Sequence, residues 1–336
     1  MNRAPLFTLL VVLAAYSSAD PVTASARLSE IQPAIRIALA GFTHSKANDE
    51  SRALGAVLAE SISRDPRVTL VDQSIVRSAL SGFGYNGSIN MSKDEARKLA
   101  SAVGCDFFFL GKAEEFARSE RANESHEQAY AGVMIVDGRT GGLSLFDFIS
   151  SKGATKEEAQ QSLARALDAR VTSYLDRMIE VRERASTLQP RASASSGDII
   201  EDVPSEDSPR SSGFKPPEFL NRVKPDYTAE AELADITATV EAMVVFGSSG
   251  ELGRIEITRW AGFGLDESAE RAIRQLRFKP ATRDGNPISV RALIRYNFRR
   301  VPEPANKPEQ PAAAAPAKPE RDLREIFKPT FRRPSH

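Results

Sequence analysis

Apolar residues in the first part of the chain switch between strand-like runs and helical spacing. Residues 35–40 (IRIALA) form a short apolar run with β-branched residues, which predicts a buried strand. Residues 50–64 repeat apolar positions at helical spacing, and Asp65-Pro66 ends the predicted helix because proline cannot continue it. Residues 68–71 predict a second short strand.

Two capping signals predict where the next helices begin. Asp72 is placed to cap a helix over residues 73–80. Ser92 and Glu95 have the spacing of a capping box, which predicts a helix that ends near residue 102.

The spacing of apolar residues then changes to that of strands. Residues 106–115, 128–137 and 142–148 predict three strands, and DGRTG at 137–141 predicts the turn between the last two. From Thr155 onward, apolar residues again recur at helical spacing over a long segment. This order of strands and helices predicts an α/β sandwich-like domain over residues 30–184.

A second, smaller pattern lies near the C-terminal end. Residues 237–246 and 251–260 predict two strands joined by a turn, and residues 288–298 predict a final strand. Between them, Asp266 is placed to cap an amphipathic helix. Strands with one packed helix predict a small α+β domain over residues 218–300, so the fold class of the whole chain is α+β.

Composition separates these domains from segments that cannot bury a core. Residues 185–217 are rich in Ser, Pro and charged residues, which predicts a disordered, flexible linker. Residues 301–336 form a Pro/Ala-rich and basic tail. The 45 Lys and Arg residues balance 45 Asp and Glu residues, so the chain as a whole has no excess positive charge to bind nucleic acid.

The first 26 residues have the pattern of a secretory signal peptide. Arg3 precedes an apolar stretch at residues 6–15, which is too short to span a bilayer, and small residues follow. We expect Sec-type export to the periplasm, and an uncleaved anchor is the alternative. No later segment is long and apolar enough to predict a membrane span.

No arrangement of residues predicts catalysis, a metal site or a cofactor. His44, His126 and His336 are scattered, and Cys105 is the only cysteine, so zinc-ligand spacings are absent. The sequence lacks a phosphate-binding loop and a GxSxG nucleophile motif. We therefore predict that the protein is not an enzyme.

The C-terminal domain resembles the C-terminal domain of the TonB family. The resemblance is carried by PDY (225–227), GELGRIEI (250–257), LDESAERAIRQLRFKPA (265–281) and DGNPISV (284–290), in both residues and spacing. Thr228 replaces the second proline that is usual after the tyrosine, and Ala238 stands where a glycine is common. A globular domain also precedes this block, which favours an adaptor over a complete energy transducer.

The resemblance implies a periplasmic module that binds partner peptides by β-strand addition. We expect the edge to be residues 288–298, with arginines on the face opposite the apolar residues. The implied partner-binding residues are Pro225, Tyr227, Val290, Ala292, Ile294 and Tyr296. The expected partner is an envelope protein or a receptor peptide, which would link the chain to outer-membrane transport.

The N-terminal domain resembles periplasmic domains of FlgO-like and CsgG-like proteins. The resemblance is carried by IALAGF, VTLVDQSIVRSAL, LASAVGCDFFFLGKAEEF and VDGRTGG within residues 35–180. It implies an alternative function, in which this domain forms homo-oligomers within a secretion or motility apparatus. Both functions place the protein in the periplasm, where it could associate peripherally with the outer membrane.

Overall fold

The structure, a computed structural model, describes residues 34–43, 49–119, 125–187, 200–204 and 208–300. These residues form an α+β fold, as the sequence predicts. The predicted signal peptide and the tail after residue 300 lie outside the described residues, as do His44 and His336.

The N-terminal domain follows the predicted order of elements. They are β1 (Ile35–Leu39), α1 (Ala40–Thr43), α2 (Asp49–Ser63), β2 (Val68–Leu70), α3 (Gln73–Gly82), β3 (Met91–Ser92), α4 (Lys93–Val103), β4 (Phe107–Ser119), β5 (Ser125–Asp137), β6 (Leu143–Gly153) and α5 (Lys156–Thr187). Both predicted caps are confirmed. The Asp72 carboxylate accepts the Ser74 amide at 2.7 Å, and Ser92 and Glu95 exchange the two hydrogen bonds of a capping box.

Five of these strands form one mixed sheet in the order β2-β1-β4-β5-β6. Strands β2, β1 and β4 run parallel, whereas β4, β5 and β6 run antiparallel. Helices α2 and α5 cover one face of this sheet, and α3 and α4 pack on the other. Tyr130 and Met134 of β5 lie in the cluster on this second face, and Phe146 and Phe148 of β6 pack against it.

The C-terminal domain is a second sheet with a helix packed on it. Its elements are β7 (Ile200–Asp202), a 3-10 turn (Pro209–Ser211), β8 (Phe214–Lys215), β9 (Glu218–Phe219), α6 (Ala229–Leu233), β10 (Ala238–Phe246), β11 (Leu252–Trp260), α7 (Leu265–Arg274), β12 (Phe278–Lys279), β13 (Ala281–Arg283) and β14 (Asn286–Phe298). The sheet order is β3-β11-β10-β14-β13-β8, with β7 paired to β14, and Ile273 of α7 packs in its core. Strand β3 comes from the N-terminal domain.

The structure differs from the sequence prediction in the segment expected to be a flexible linker. In the described part of residues 185–217, α5 continues to Thr187, and β7 and β8 pair with the C-terminal sheet. Val203 is 9% exposed and belongs to the same apolar cluster as Val290. A few apolar residues in a polar segment are therefore sufficient to attach it to an existing sheet.

The role predicted for Asp266 is wrong. Helix α7 begins at Leu265 after Gly264, which has a positive φ of 70° and makes no side-chain cap. The Asp266 carboxylate instead accepts the backbone amides of Ala261 and Gly262, each at 2.8 Å. Asp266 therefore fixes the loop that precedes the helix rather than the helix end.

That loop joins the two domains through a shared core. Trp260 is 2% exposed, and its indole Nε1 donates to the carbonyl oxygen of Gly141 at 3.0 Å. Phe263 is fully buried, with its ring centroid 4.7 Å from that of Phe146 and 6.0 Å from that of Phe148 on β6. The C-terminal domain thus covers the half of the N-terminal sheet that α3 and α4 leave open.

Gly132 of β5 provides the space for this contact. A Cβ atom at residue 132 would lie 2.7 Å from Cζ of Phe263, closer than side-chain carbons approach in proteins. The absence of a side chain at residue 132 therefore allows the aromatic ring to lie directly on the strand.

Hydrogen bonds and an ion pair also connect the two domains at the edge of this interface. Asn90 donates to the carbonyl oxygens of Thr239 at 2.9 Å and Trp260 at 2.7 Å, and accepts the Thr239 amide at 3.0 Å. Next to it, Lys93 lies 2.8 Å from Glu256, and this ion pair lowers the pKa of Glu256. The segment between α3 and α4 therefore extends the C-terminal sheet, with β3 as its outermost strand.

Among the described residues, no helix combines the length and the apolar character needed to cross a bilayer.

Replacing Phe263 with alanine should destabilise both domains together. Removing a fully buried phenylalanine costs roughly 3–5 kcal/mol, and here the cavity would lie in the core that the domains share. Urea unfolding followed by circular dichroism measures the change. Phe83→Ala is the matched control, because Phe83 is 36% exposed, and it should cost less than about 1 kcal/mol. Equal losses in the two variants would contradict the shared core.

Asp266 should make stability depend on pH. Burial raises its pKa to about 6 from the ordinary 3.8, against the two amide hydrogen bonds that lower it. The folded chain therefore binds the proton more tightly than the unfolded chain, so stability falls as pH rises from about 4 to about 6.

The Asp266→Asn variant isolates this effect, since all other carboxyl groups are common to both proteins. The free energy of unfolding of the wild type relative to the variant should fall by up to about 3 kcal/mol between pH 4 and pH 7. Urea titrations at several pH values measure it. A difference that stays constant or rises over this range would refute the raised pKa.

Candidate strand-binding site

Strand β14 is the strand predicted to bind a partner, and one of its sides pairs with β10 over residues 290–298. It runs antiparallel to β10 in an unbroken register from Ala238 opposite Phe298 to Phe246 opposite Val290. The backbone groups of β14 that face β10 are therefore already hydrogen-bonded within the sheet. Partner binding through β14 is therefore restricted to its other side.

The other side of β14 is only partly covered. Residues 289–291 pair on this side, in parallel, with β7, while residues 286–288 at the start of the strand pair with β13. Over residues 292–298, no described strand pairs with this side. The open edge is thus shorter than the predicted edge of residues 288–298.

The backbone groups on the open edge can be assigned from one hydrogen bond. The amide of Val203 donates to the carbonyl oxygen of Arg291 at 3.4 Å, so the backbone polar groups of Arg291 face β7. Alternate residues of a strand direct these groups to the same side. The amides and carbonyl oxygens of Leu293, Arg295 and Asn297 therefore face the open edge.

The apolar side chains predicted for partner binding lie in the protein core. Val290, Ala292 and Ile294 are 0%, 4% and 9% exposed, and they pack with α7 in one cluster. Tyr296 shares this face, where burial raises its pKa to about 12 and its hydroxyl donates to the Val223 carbonyl oxygen at 3.3 Å. The strand alternation places these four side chains on one face, as predicted, but that face is buried. A partner could therefore contact the backbone of β14 at its open edge and not these side chains.

Pro225 and Tyr227 also have intramolecular contacts. Pro225 is buried. The hydroxyl of Tyr227 is 3.0 Å from the Ala231 carbonyl oxygen and 2.7 Å from that of Ile236, and burial raises the pKa of Tyr227. These two residues therefore fix α6 and the start of β10, away from the open edge.

The opposite face of the sheet carries ion pairs. Arg295 makes a salt bridge with Glu241, which is 14% exposed on its side chain, and Arg259 lies 3.7 Å from the same carboxylate and 3.0 Å from Glu95 of α4. The charges at the open edge are thus partly neutralised within the chain. Arg299 and Arg300, which follow β14, are exposed.

Strand β7 shows what a strand added to this edge looks like. Asp202 accepts two hydrogen bonds from the Arg291 guanidinium, at 2.8 and 3.1 Å, and this interaction raises the pKa of Arg291. Glu201 accepts from Arg283 at 2.6 Å. The edge therefore already holds a short strand with two acidic side chains, a feature that sequence reasoning missed because three residues carry no detectable periodicity.

Among the described residues, no group of three or more His, Cys, Asp or Glu side chains is placed to hold a metal ion. Cys105 is a single half-buried thiol, and burial raises its pKa to about 12, which makes it a poor nucleophile at neutral pH.

Comparison with known families supports the C-terminal assignment. Residues 223–299 match the family described as Gram-negative bacterial TonB protein C-terminal. This match confirms the predicted TonB-type C-terminal domain and supports an envelope-associated protein; the family is non-enzymatic. No curated protein matches the chain.

Several solved structures are similar over part of the chain. A hypothetical protein from Chlamydia trachomatis is 12% identical, over 42% of this chain and 97% of its own, with a TM-score of 0.31. A lipoprotein from Neisseria meningitidis is 17% identical, over 43% and 99%, with a TM-score of 0.31. A PelC dodecamer from Paraburkholderia phytofirmans is 13% identical, over 42% and 86%, with a TM-score of 0.28. The FlgO-like and CsgG-like resemblance of the N-terminal domain stays a prediction.

Hydrogen exchange should distinguish the two sides of β14. The amides of Leu293, Arg295 and Asn297 face the open edge, whereas those of Ala292 and Ile294 bond to β10. We expect the first group to exchange on the order of 100-fold faster than the second in the free protein, because exposed amides need no opening of the sheet. Residue-resolved NMR of the full chain measures these rates. Equal protection on both sides would show that the edge is covered.

Proposed function

We propose that this protein is a non-enzymatic adaptor of the periplasm that binds a partner peptide by strand addition to residues 292–298 of β14. The observation that carries the proposal is the half-covered edge. Residues 289–291 already pair with an added strand, and no described strand pairs with the next residues of the same edge. Main-chain hydrogen bonds would supply the affinity, as they do in other strand-addition complexes.

The rigid support of this edge favours binding over chemistry. The side chains of Val290, Ala292 and Ile294 are buried in the core, and β10 pairs with residues 290–298 on the other side of the strand. A partner would therefore meet an edge that is already extended, and it would bear little ordering cost from the protein.

The short strand β7 indicates the chemistry of the partner. It runs parallel to β14 and carries Glu201 and Asp202, which meet Arg283 and Arg291. Further along the edge, Arg299 and Arg300 are exposed cations. We therefore expect the partner to be an extended, parallel peptide with acidic residues, and the family match makes an envelope protein or receptor segment the source to test.

Export fits this proposal. The first 26 residues have the pattern of a signal peptide, and the matched family belongs to the Gram-negative envelope. We propose that the mature protein acts in the periplasm, peripheral to the outer membrane. We base the proposed link to outer-membrane transport on the family match. Identification of the partner would test this link.

Leu293 offers a substitution that tests the edge without breaking the sheet. Its amide faces the open side, so Leu293→Pro removes a donor that only a partner would use, and proline is tolerated at such edge positions. Leu293→Ala is the matched control, because it removes the same side chain and keeps the amide.

The measurement uses peptides selected on the protein itself. A library of extended peptides is selected on the full chain, and the enriched peptides are synthesised and titrated by calorimetry. Leu293→Pro should weaken binding at least about tenfold, which is about 1.4 kcal/mol, while Leu293→Ala stays within about threefold. Unchanged affinity in the proline variant, with its circular dichroism spectrum intact, would overturn the edge assignment.

A further inference from the structure

A cleft of about 500 Å³ opens between the start of β6 and the N-terminal end of α7. It is separate from the open edge of β14. Its lining combines apolar residues of β6 with acidic residues of the C-terminal domain: Leu143, Leu145, Phe146, Phe148, Glu230 and Glu267. An occupant would therefore contact both domains at once.

The strand that lines the cleft is itself an edge. Among the described residues, β6 pairs with β5 alone, so its other side carries no strand. The register shifts at Ser144, because Ile135 lies opposite Leu145 whereas Val136 lies opposite Leu143. Such a bulge turns side chains out of the regular alternation, and Ser144 at the bulge lines the cleft.

The acidic side of the cleft is not paired with any cation of the described residues. Glu230 of α6 and Glu267 of α7 are exposed, and neither forms an ion pair with a described residue. By contrast, Glu270, one turn after Glu267, pairs with Arg274. A ligand with apolar side chains and flanking positive charges would match both walls of the cleft.

The chain contains a segment with this composition. Residues 321–333, RDLREIFKPTFRR, hold five basic and two acidic residues together with Leu323, Ile326, Phe327 and Phe331. We propose that this segment binds in the cleft of its own chain, with an aromatic side chain against Phe146 and Phe148 and with basic side chains at Glu230 and Glu267.

The path of the chain favours an intramolecular contact. Strand β14 ends at Phe298, which is buried in the same apolar cluster as Ala231 of α6. Phe298 lies opposite Ala238, a few residues after the end of α6, so the chain leaves the sheet near the helix that carries Glu230.

Tether length also permits this contact. Residues 301–320 are rich in Pro and Ala, and at roughly 3.1 Å per residue they span up to about 60 Å. A tethered segment of this kind has an effective concentration on the order of millimolar at a site within reach. An intramolecular occupant is therefore favoured over a second copy at ordinary protein concentrations.

Disulfide formation in the full chain tests the contact. Ser144→Cys is placed in the cleft and Thr330→Cys in the segment, on a Cys105→Ser background. The matched control pairs Thr330→Cys with Ser101→Cys, since Ser101 is exposed on α4 and does not line this cleft. Rates are corrected for the reactivity of each cleft or control thiol toward a small disulfide reagent.

We expect the cleft pair to form an intramolecular disulfide at least about tenfold faster than the control pair, because only the first is held close by binding. Adding Glu230→Lys and Glu267→Lys to the cleft pair should remove most of this difference. Equal rates in the two pairs would overturn the proposal. A disulfide that forms mainly between chains and depends on protein concentration would also overturn it, and would indicate a second copy as the occupant.

Discussion

The burial of the loop from Trp260 to Phe263 against the N-terminal sheet is the contact on which the rest of the structure depends. Phe263 lies against Gly132 and the two phenylalanines of β6, and Trp260 bonds to Gly141. Without this loop, one half of a five-stranded sheet would expose its apolar face to water, which is costly in proportion to the area. The two domains therefore complete one core rather than acting as separate units.

This contact also determines which sheet edges remain open. The segment between α3 and α4 adds β3 to one end of the C-terminal sheet, so β11 is covered near Trp260. On the side of β14 away from β10, β7 covers residues 289–291, and no other described strand covers the residues that follow. The open edge is thus the part of the sheet that no other described strand of the chain pairs with. This explains how an ordinary sheet can present one short, rigid recognition segment.

Local patterns predicted most long elements and two of the three helix caps. The helices beginning near Asp49 and Lys93 and the strands of both sheets lie within a few residues of their predicted bounds, because burial periodicity and capping chemistry are local. The alternation in β14 correctly grouped Val290, Ala292 and Ile294 on one face. Asp266 was misassigned because an aspartate near a helix start can serve either the helix or the loop before it, and only the loop conformation decides.

The sequence by itself determined the class of each long element and the TonB-like order of the last domain. Tertiary structure decided that the apolar face of β14 is core, that β3 and β7 exist, and that Trp260 and Phe263 join the domains. Strands of two or three residues have no period of their own. They form only where a distant strand offers unpaired backbone groups, and no local pattern records that distant partner.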